Sequence, residues 1–258
     1  MTKSMTVLTA TVCGALLMTA TPTQAAPNDP VRALKAQLVA GHGVRFADTT
    51  NTVADDGEEL LMRRKGTFQF SKKGMAAADI TAKMSGPLGA VSGMDTPERA
   101  IAIGKVTYLS GGMWKEKMPA GKSWYKSDGF SSGASGYFGQ PINPVEPATL
   151  AALIKKAKKV KNAYTGKITF KELDKVSPWF RASIPLRYHN DTQVSYTLTV
   201  GASGLVTRVT SSYAATGVFD NDAWEGKTFA VETRFTGWGS KVSIKAPDAG
   251  KVTTKLEE

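Results

Sequence analysis

Ala54-Asp55-Asp56-Gly57-Glu58 lies between two extended runs, Val44 to Val53 and Leu60 to Phe70. Asp-Gly at the centre of a short polar stretch is a strong hairpin signal, because glycine supplies the positive φ that a tight turn needs. Before the turn, Val44, Phe46 and Val53 sit in a Thr-rich run. After it, Gly66-Thr67-Phe68-Gln69-Phe70 alternates with a period of two, the spacing of a strand with one face buried. Lys72-Lys73-Gly74 turns the chain again, and Ala77 to Met84 returns alongside. Three consecutive returns of this kind predict an antiparallel meander.

The same grammar extends in both directions. Ala100-Ile101-Ala102-Ile103, Val106-Thr107-Tyr108-Leu109 and Ser123-Trp124-Tyr125-Lys126 continue the first meander. Tyr164 to Leu173, Val194 to Val200, Val206 to Tyr213, Thr228 to Phe235 and Val242 to Ile244 form a second set, with Gly201-Ala202-Ser203-Gly204 as a hairpin turn. The residues after Pro247 read as a loose polar tail. Two segments depart from this period. From Asn28 to Ala40, Val31, Leu34 and Leu38 recur at helical spacing, with Asp29 placed to cap and Pro30 at the first position. From Pro147 onward, Leu150, Leu153, Ile154, Ala157 and Val160 make one apolar stripe.

About ten short strands and two amphipathic helices predict an α+β fold. The economical form is a single large curved antiparallel sheet, a half-barrel, with the helices packed in its concave face. Such packing leaves room for an apolar cavity between sheet and helices that would hold a lipid or acyl chain. With the interior filled instead, the alternative is a structural or interaction protein whose basic face binds anionic wall polymer, a membrane surface or a protein partner. Leu34, Leu38, Phe68, Phe70, Ile101, Ile103, Leu150, Leu153, Ile154 and Phe170 are the expected lining, and Trp179-Phe180 a candidate lip.

The first residues carry a different message. Lys3 is the only charge before Asp29, Met5 to Ala20 is apolar or small, and Thr23-Gln24-Ala25 offers a small-residue exit. That is the pattern of a secretory signal cleaved near Ala25, leaving residues 26–258 as one exported domain. The single cysteine, Cys13, falls inside the apolar run, so the mature chain has no thiol for a disulfide or a catalytic thiolate. The formal net charge of the 258 residues is +11, which draws the protein toward anionic surfaces without choosing among them. Lys155, Lys156, Lys158, Lys159 and Lys161 crowd the end of the second helix and are the candidate contact with membrane or wall polymer. Nucleic acid is not expected, because no aromatics interleave with the basic groups.

Catalytic motifs are weak. Gly129-Phe130-Ser131-Ser132-Gly133 matches the G-x-S-x-G pattern, but loop residues follow where a nucleophile elbow needs a helix. It reads as a flexible loop over the barrel mouth. Ala120-Gly121-Lys122-Ser123 lacks the first glycine of a phosphate loop. His42 and His189 are the only histidines and have no H-E-x-x-H spacing. No enzyme activity, metal or cofactor is expected.

Three stretches carry a family resemblance. Gly104-Lys105-Val106-Thr107-Tyr108-Leu109, Pro119-Ala120-Gly121-Lys122-Ser123-Trp124-Tyr125-Lys126 and Gly237-Trp238-Gly239-Ser240-Lys241-Val242-Ser243-Ile244-Lys245-Ala246-Pro247 resemble segments of actinobacterial exported lipoproteins. With the opening helix, they make the chain similar to the LppX/LprG/LolA-like lipoprotein superfamily. The resemblance implies a half-open barrel closed by helices and a lipid or acyl chain held inside. Many members carry a lipid-modified cysteine just after the signal. Ala26-Pro27-Asn28 stands there instead, which implies free secretion or weak surface association.

Overall fold

The computed structural model describes residues 29–257; the stretch read as an export signal and Cys13 lie outside them. In chain order the elements are α1 (Pro30–Gln37), β1 (His42–Ala54), β2 (Gly57–Ser71), β3 (Gly74–Met84), α2 (Gly86–Val91), β4 (Glu98–Ile103), β5 (Val106–Gly111) and β6 (Trp124–Asp128). Then come α3 (Pro147–Lys156), β7 (Lys158–Val160), β8 (Ala163–Thr169), α4 (Phe170–Val176), α5 (Pro178–Ser183), β9 (Gln193–Val200), β10 (Val206–Ala214), β11 (Thr228–Lys241) and β12 (Val252–Thr253). All twelve strands form one open sheet in the order β12-β6-β5-β4-β3-β2-β1-β11-β10-β9-β8-β7. Two meanders therefore meet at the long β1–β11 pair. Every neighbour is antiparallel except β12, which runs parallel to β6.

The fold class is as the sequence indicates: one large bent sheet with helices against its inner face. Strand alternation sorts the residues cleanly. Val44, Phe46, Met62, Phe68, Phe70, Ile80, Met84, Val194, Leu198, Val209, Phe229, Val231 and Phe235 belong to one apolar core, together with Leu34 of α1, Leu150 and Leu153 of α3, and Phe170, Leu173, Trp179 and Phe180 of α4 and α5. At the α1 end, Trp238 stacks on Phe70 and donates through Nε1 to the Val206 carbonyl at 2.9 Å.

Helix α1 starts as expected, with the Asp29 side chain accepting from Val31 N. Helix α3 is shorter than its apolar stripe. It ends at Lys156, and Lys158–Val160 form the edge strand β7. An edge strand bearing lysines resists pairing with another chain. The run read as a strand to Leu173 stops at Thr169. Thr169 and Glu172 form a reciprocal capping box there and start α4 instead. Helices α2 and α5 were also not expected.

The chain end is tied down rather than loose. Val242 N donates to Gly41 O at 2.9 Å, Ile244 N to Gln69 Oε1 at 2.6 Å, and Ser123 N to Lys251 O at 3.0 Å. The segment thus crosses the outer face from β1 to the far edge, where β12 adds to β6.

Candidate functional site

The concave face is where the sequence places a cavity, and it is filled. Residues 129–147, between β6 and α3, run inside the curve of the sheet rather than over its mouth. Of these, Ser132, Ser135, Gln140, Ile142, Asn143, Val145 and Glu146 are buried.

A polar stripe across the central strands holds this segment. Thr50 Oγ1 donates to Phe138 O at 2.7 Å and Tyr213 OH to Gly139 O at 3.3 Å. Gln140 Oε1 accepts from Ser211 Oγ at 2.7 Å, while its Nε2 donates to Thr233 Oγ1 at 3.2 Å. Trp179 Nε1 closes the set by donating to Gln140 O at 2.8 Å. At the other end of the segment, Glu98 accepts from Trp114 Nε1, Ala134 N and Ser135 N at 2.8, 2.9 and 3.0 Å. These bonds answer the requirement that buried backbone polar groups be paired. They explain why Thr50, Ser211 and Thr233 face inward among apolar neighbours.

Two charged centres accompany the segment, one beneath it and one at its end. Arg64 and Asp48 form an ion pair whose side chains are 0% and 1% exposed. The Arg64 guanidinium also lies 5.7 Å from the Trp179 ring centroid. Glu146, 8% exposed, accepts from Ser177 Oγ at 2.6 Å, Trp179 N at 2.7 Å and Thr149 Oγ1 at 2.8 Å. It joins the start of α3 to the start of α5. Burial pushes its carboxyl above the usual range, against those three hydrogen bonds.

The void bounded by Phe46, Asp48, Arg64, Phe68, Gln140, Ile142, Asn143, Trp179, Thr233 and Phe235 measures about 10 Å³. That is the size of one water molecule. Arg64 Nη1 and Asn143 Nδ2, both without a partner among the described residues, belong to side chains lining it.

The expected lining residues divide. Leu34, Phe68, Phe70, Leu150, Leu153 and Phe170 are buried in the core, and Leu38 and Ile154 pack against it half-buried. Ile101 and Ile103 are a correction: the register places them opposite Asp79 and Ala77, on the outer face, while Ala100 and Ala102 face inward. In an Ala-Ile-Ala-Ile run the large residues suggest the buried phase, yet here the inner positions must be small. Trp179 and Phe180 are core residues, 2% and 0% exposed, not a lip. Lys155, Lys156, Lys158, Lys159 and Lys161 are all exposed; Lys156 pairs with Glu172 at 2.6 Å and Lys159 sits 5.3 Å from the Tyr164 ring centroid.

Ser131 of the G-x-S-x-G match accepts from Gly133 N at 3.1 Å within its own turn. A 3-10 turn, Ala134–Phe138, follows where an elbow would need an α-helix. Among the described residues no group of three His, Cys, Asp or Glu side chains is placed to hold a metal. No described helix is long and apolar enough to cross a membrane.

Sequence reasoning missed the polar stripe. Its signal was present as Thr50, Ser211 and Thr233 at inward-phase positions, but a hydroxyl there has no evident partner until residues 138–140 are placed.

No protein-family model and no curated protein matches the chain. Among solved structures, lipoprotein LppX of Mycobacterium tuberculosis is 12% identical, covering 84% of this chain and 96% of that one, with a TM-score of 0.40. A LolA-superfamily protein of Nitrosomonas europaea is 8% identical over 81% and 90%, TM-score 0.31. An outer membrane lipoprotein-sorting protein domain of Vibrio parahaemolyticus is 11% identical over 80% and 90%, TM-score 0.30.

Proposed function

We propose that this chain is an exported, non-catalytic protein that takes up a hydrophobic ligand on the concave face of its sheet, and that the arrangement above is its closed form. Residues 129–147 then occupy the ligand's place. The observation that supports this reading is the character of the filler. The inner face is apolar over most of its extent, yet its centre is covered by an irregular segment rather than by a packed helix. Glycines at positive φ, Gly129 and Gly133, begin that segment, so its entry can rotate at little steric cost.

Each hydrogen bond between the stripe and the segment contributes about 1 kcal/mol net. An apolar ligand in the segment's place leaves Thr50, Ser211, Tyr213 and Thr233 unpaired, at about 1–3 kcal/mol each, so roughly 160–480 Å² of buried ligand surface, at about 25 cal/mol per Å², is needed to offset them. The ligand must also replace the burial of Phe138, Ile142 and Val145. Long acyl chains carry enough apolar surface for this; small solutes do not.

In this reading the leader ending near Ala25 delivers the protein beyond the membrane. The exposed lysines Lys155, Lys156, Lys158, Lys159 and Lys161 hold it to an anionic surface, each worth about 1 kcal/mol close to such a surface.

The test is to purify the secreted chain, record its native mass, and extract it with organic solvent. A discrete apolar adduct, or uptake of added oleate by the stripped protein, is expected. A bare chain that takes up neither oleate nor phospholipid would overturn the proposal.

A further inference from the structure

The outer face of β1, β2, β3 and β4 carries a basic patch with little charge compensation of its own, and we infer that it docks the protein on the phosphate headgroups of an anionic membrane. This face is on the opposite side of the sheet from the core, so the inference does not rest on the ligand proposed for the interior.

The patch follows from strand register. Arg45, Thr67 and Asp79 are cross-strand neighbours in one outward row. Ala47, Lys65, Thr81 and Arg99 form the next, and Thr49, Arg63 and Lys83 the third. Five cations thus stand with one carboxylate, all five exposed. They occupy an area about 14 Å across the strands and about 13 Å along them.

The charge is not neutralised within the chain. Asp79 is held by Arg99, which donates to it through Nε at 2.9 Å and Nη2 at 2.7 Å. None of Arg45, Arg63, Lys65 and Lys83 pairs with a carboxylate among the described residues. The next carboxylate along the third row, Glu232, is already shared by Arg208 and Arg234. Arg63 and Lys83 stand directly opposite each other. Like charges so placed destabilise a sheet, and an external anion relieves the repulsion.

Within the patch, Arg45, Lys65 and Arg99 line a hollow of about 340 Å³ together with Thr67, Asp79 and Thr81. With Asp79 taken up by Arg99, Arg45 and Lys65 leave the hollow net positive. Guanidinium and ammonium groups make charge-assisted hydrogen bonds to phosphate oxygens, and the two threonine hydroxyls add neutral donors.

The spread of the cations selects the partner. They lie on four strands and in three rows, with the short side chains of Ala47, Thr49, Thr67 and Thr81 between them. A plane of headgroups can meet such an array as a whole, whereas a single polymer strand follows one line across it. Nucleic acid would want stacking platforms, and no aromatic side chain stands in the three rows. Each lysine or arginine brought close to an anionic bilayer strengthens the attachment, and salt screens it.

The experiment is co-sedimentation of the secreted chain with vesicles of equal parts phosphatidylglycerol and phosphatidylcholine, and with vesicles of phosphatidylcholine alone. Binding to the first that fades as salt rises, with none to the second, is expected. Arg63→Gln with Lys83→Gln removes the opposed pair; the partition coefficient should fall about tenfold, while the urea midpoint stays level or rises. Lys155→Gln with Lys161→Gln removes the same charge at the end of α3 and should cost less binding. Absence of binding to the anionic vesicles, equal binding to both kinds, or an Arg63/Lys83 variant that binds like the parent would overturn the inference. So would a greater loss from the Lys155/Lys161 variant, or binding of soluble polyphosphate without binding of the vesicles.

Discussion

Asp48 and Arg64 face each other across the β1–β2 pair, and Arg64 donates through Nε at 3.1 Å and Nη2 at 2.6 Å to a carboxylate that solvent does not reach. Removing one partner of a buried pair leaves the other charge uncompensated, which costs about 3–5 kcal/mol. Asp48→Ala should therefore lower the urea midpoint by that equivalent. The double change Asp48→Leu with Arg64→Met should cost less than Asp48→Ala alone. A double variant as unstable as the sum of its singles would contradict the pairing.

Gly139 lies against the flat face of Arg64, where an added Cβ would overlap the guanidinium. Gly139→Ala should push the inserted segment off the stripe. Amide exchange at residues 134–143 should quicken more than tenfold, while β1 and β2 exchange as before. Unchanged exchange would mean that the segment is not seated as described.

Glu146 gives the pH dependence a sign. Its carboxyl is raised above the ordinary 4.5, so the folded state holds that proton more tightly than the unfolded state does. The stabilisation this provides is fully present below the unfolded value and is lost as pH rises through the folded one. Relative to Glu146→Gln, the parent should gain stability as pH falls through the weakly acidic range toward 4.5. Urea melts of both proteins across that range give the difference directly; a parent that loses ground as pH falls would contradict it.

The tail beyond β11 contributes stability. Val242 N, Ile244 N and the Lys251 carbonyl each make a hydrogen bond across the outer face, at about 1 kcal/mol apiece. A chain ending at Lys241 should be about 3 kcal/mol less stable in urea. Equal midpoints would show that the tail is dispensable.

Much of this architecture is legible in the sequence because it rests on local chemistry. Asp56-Gly57 and Lys73-Gly74 turn the first meander, and period-two alternation separates its faces, so the sheet follows. Asp29 and Pro30 mark the start of α1, and Pro147 that of α3. The errors share a cause: they depend on what lies across the sheet. Ala100 and Ala102 look like filler until the interior is seen to need small side chains. The Gly-Ser-rich segment 129–139 has loop composition, and nothing local reveals that Thr50, Tyr213 and Glu98 are waiting for it. The end of α3 at Lys156 is set by pairing of Lys158–Val160 with β8, which overrides an apolar stripe that runs on to Val160. For the same reason the closed interior could not be read from the periodicity of helices and strands.

In the proposed function, residues 129–147 and a hydrophobic ligand compete for one surface. Hydrogen–deuterium exchange of the stripped protein, with and without saturating oleate, measures this most directly. Oleate should speed exchange at amides 134–143 while β1, β2, β10 and β11 stay protected. Oleate bound with exchange at 134–143 unchanged or slowed would contradict it.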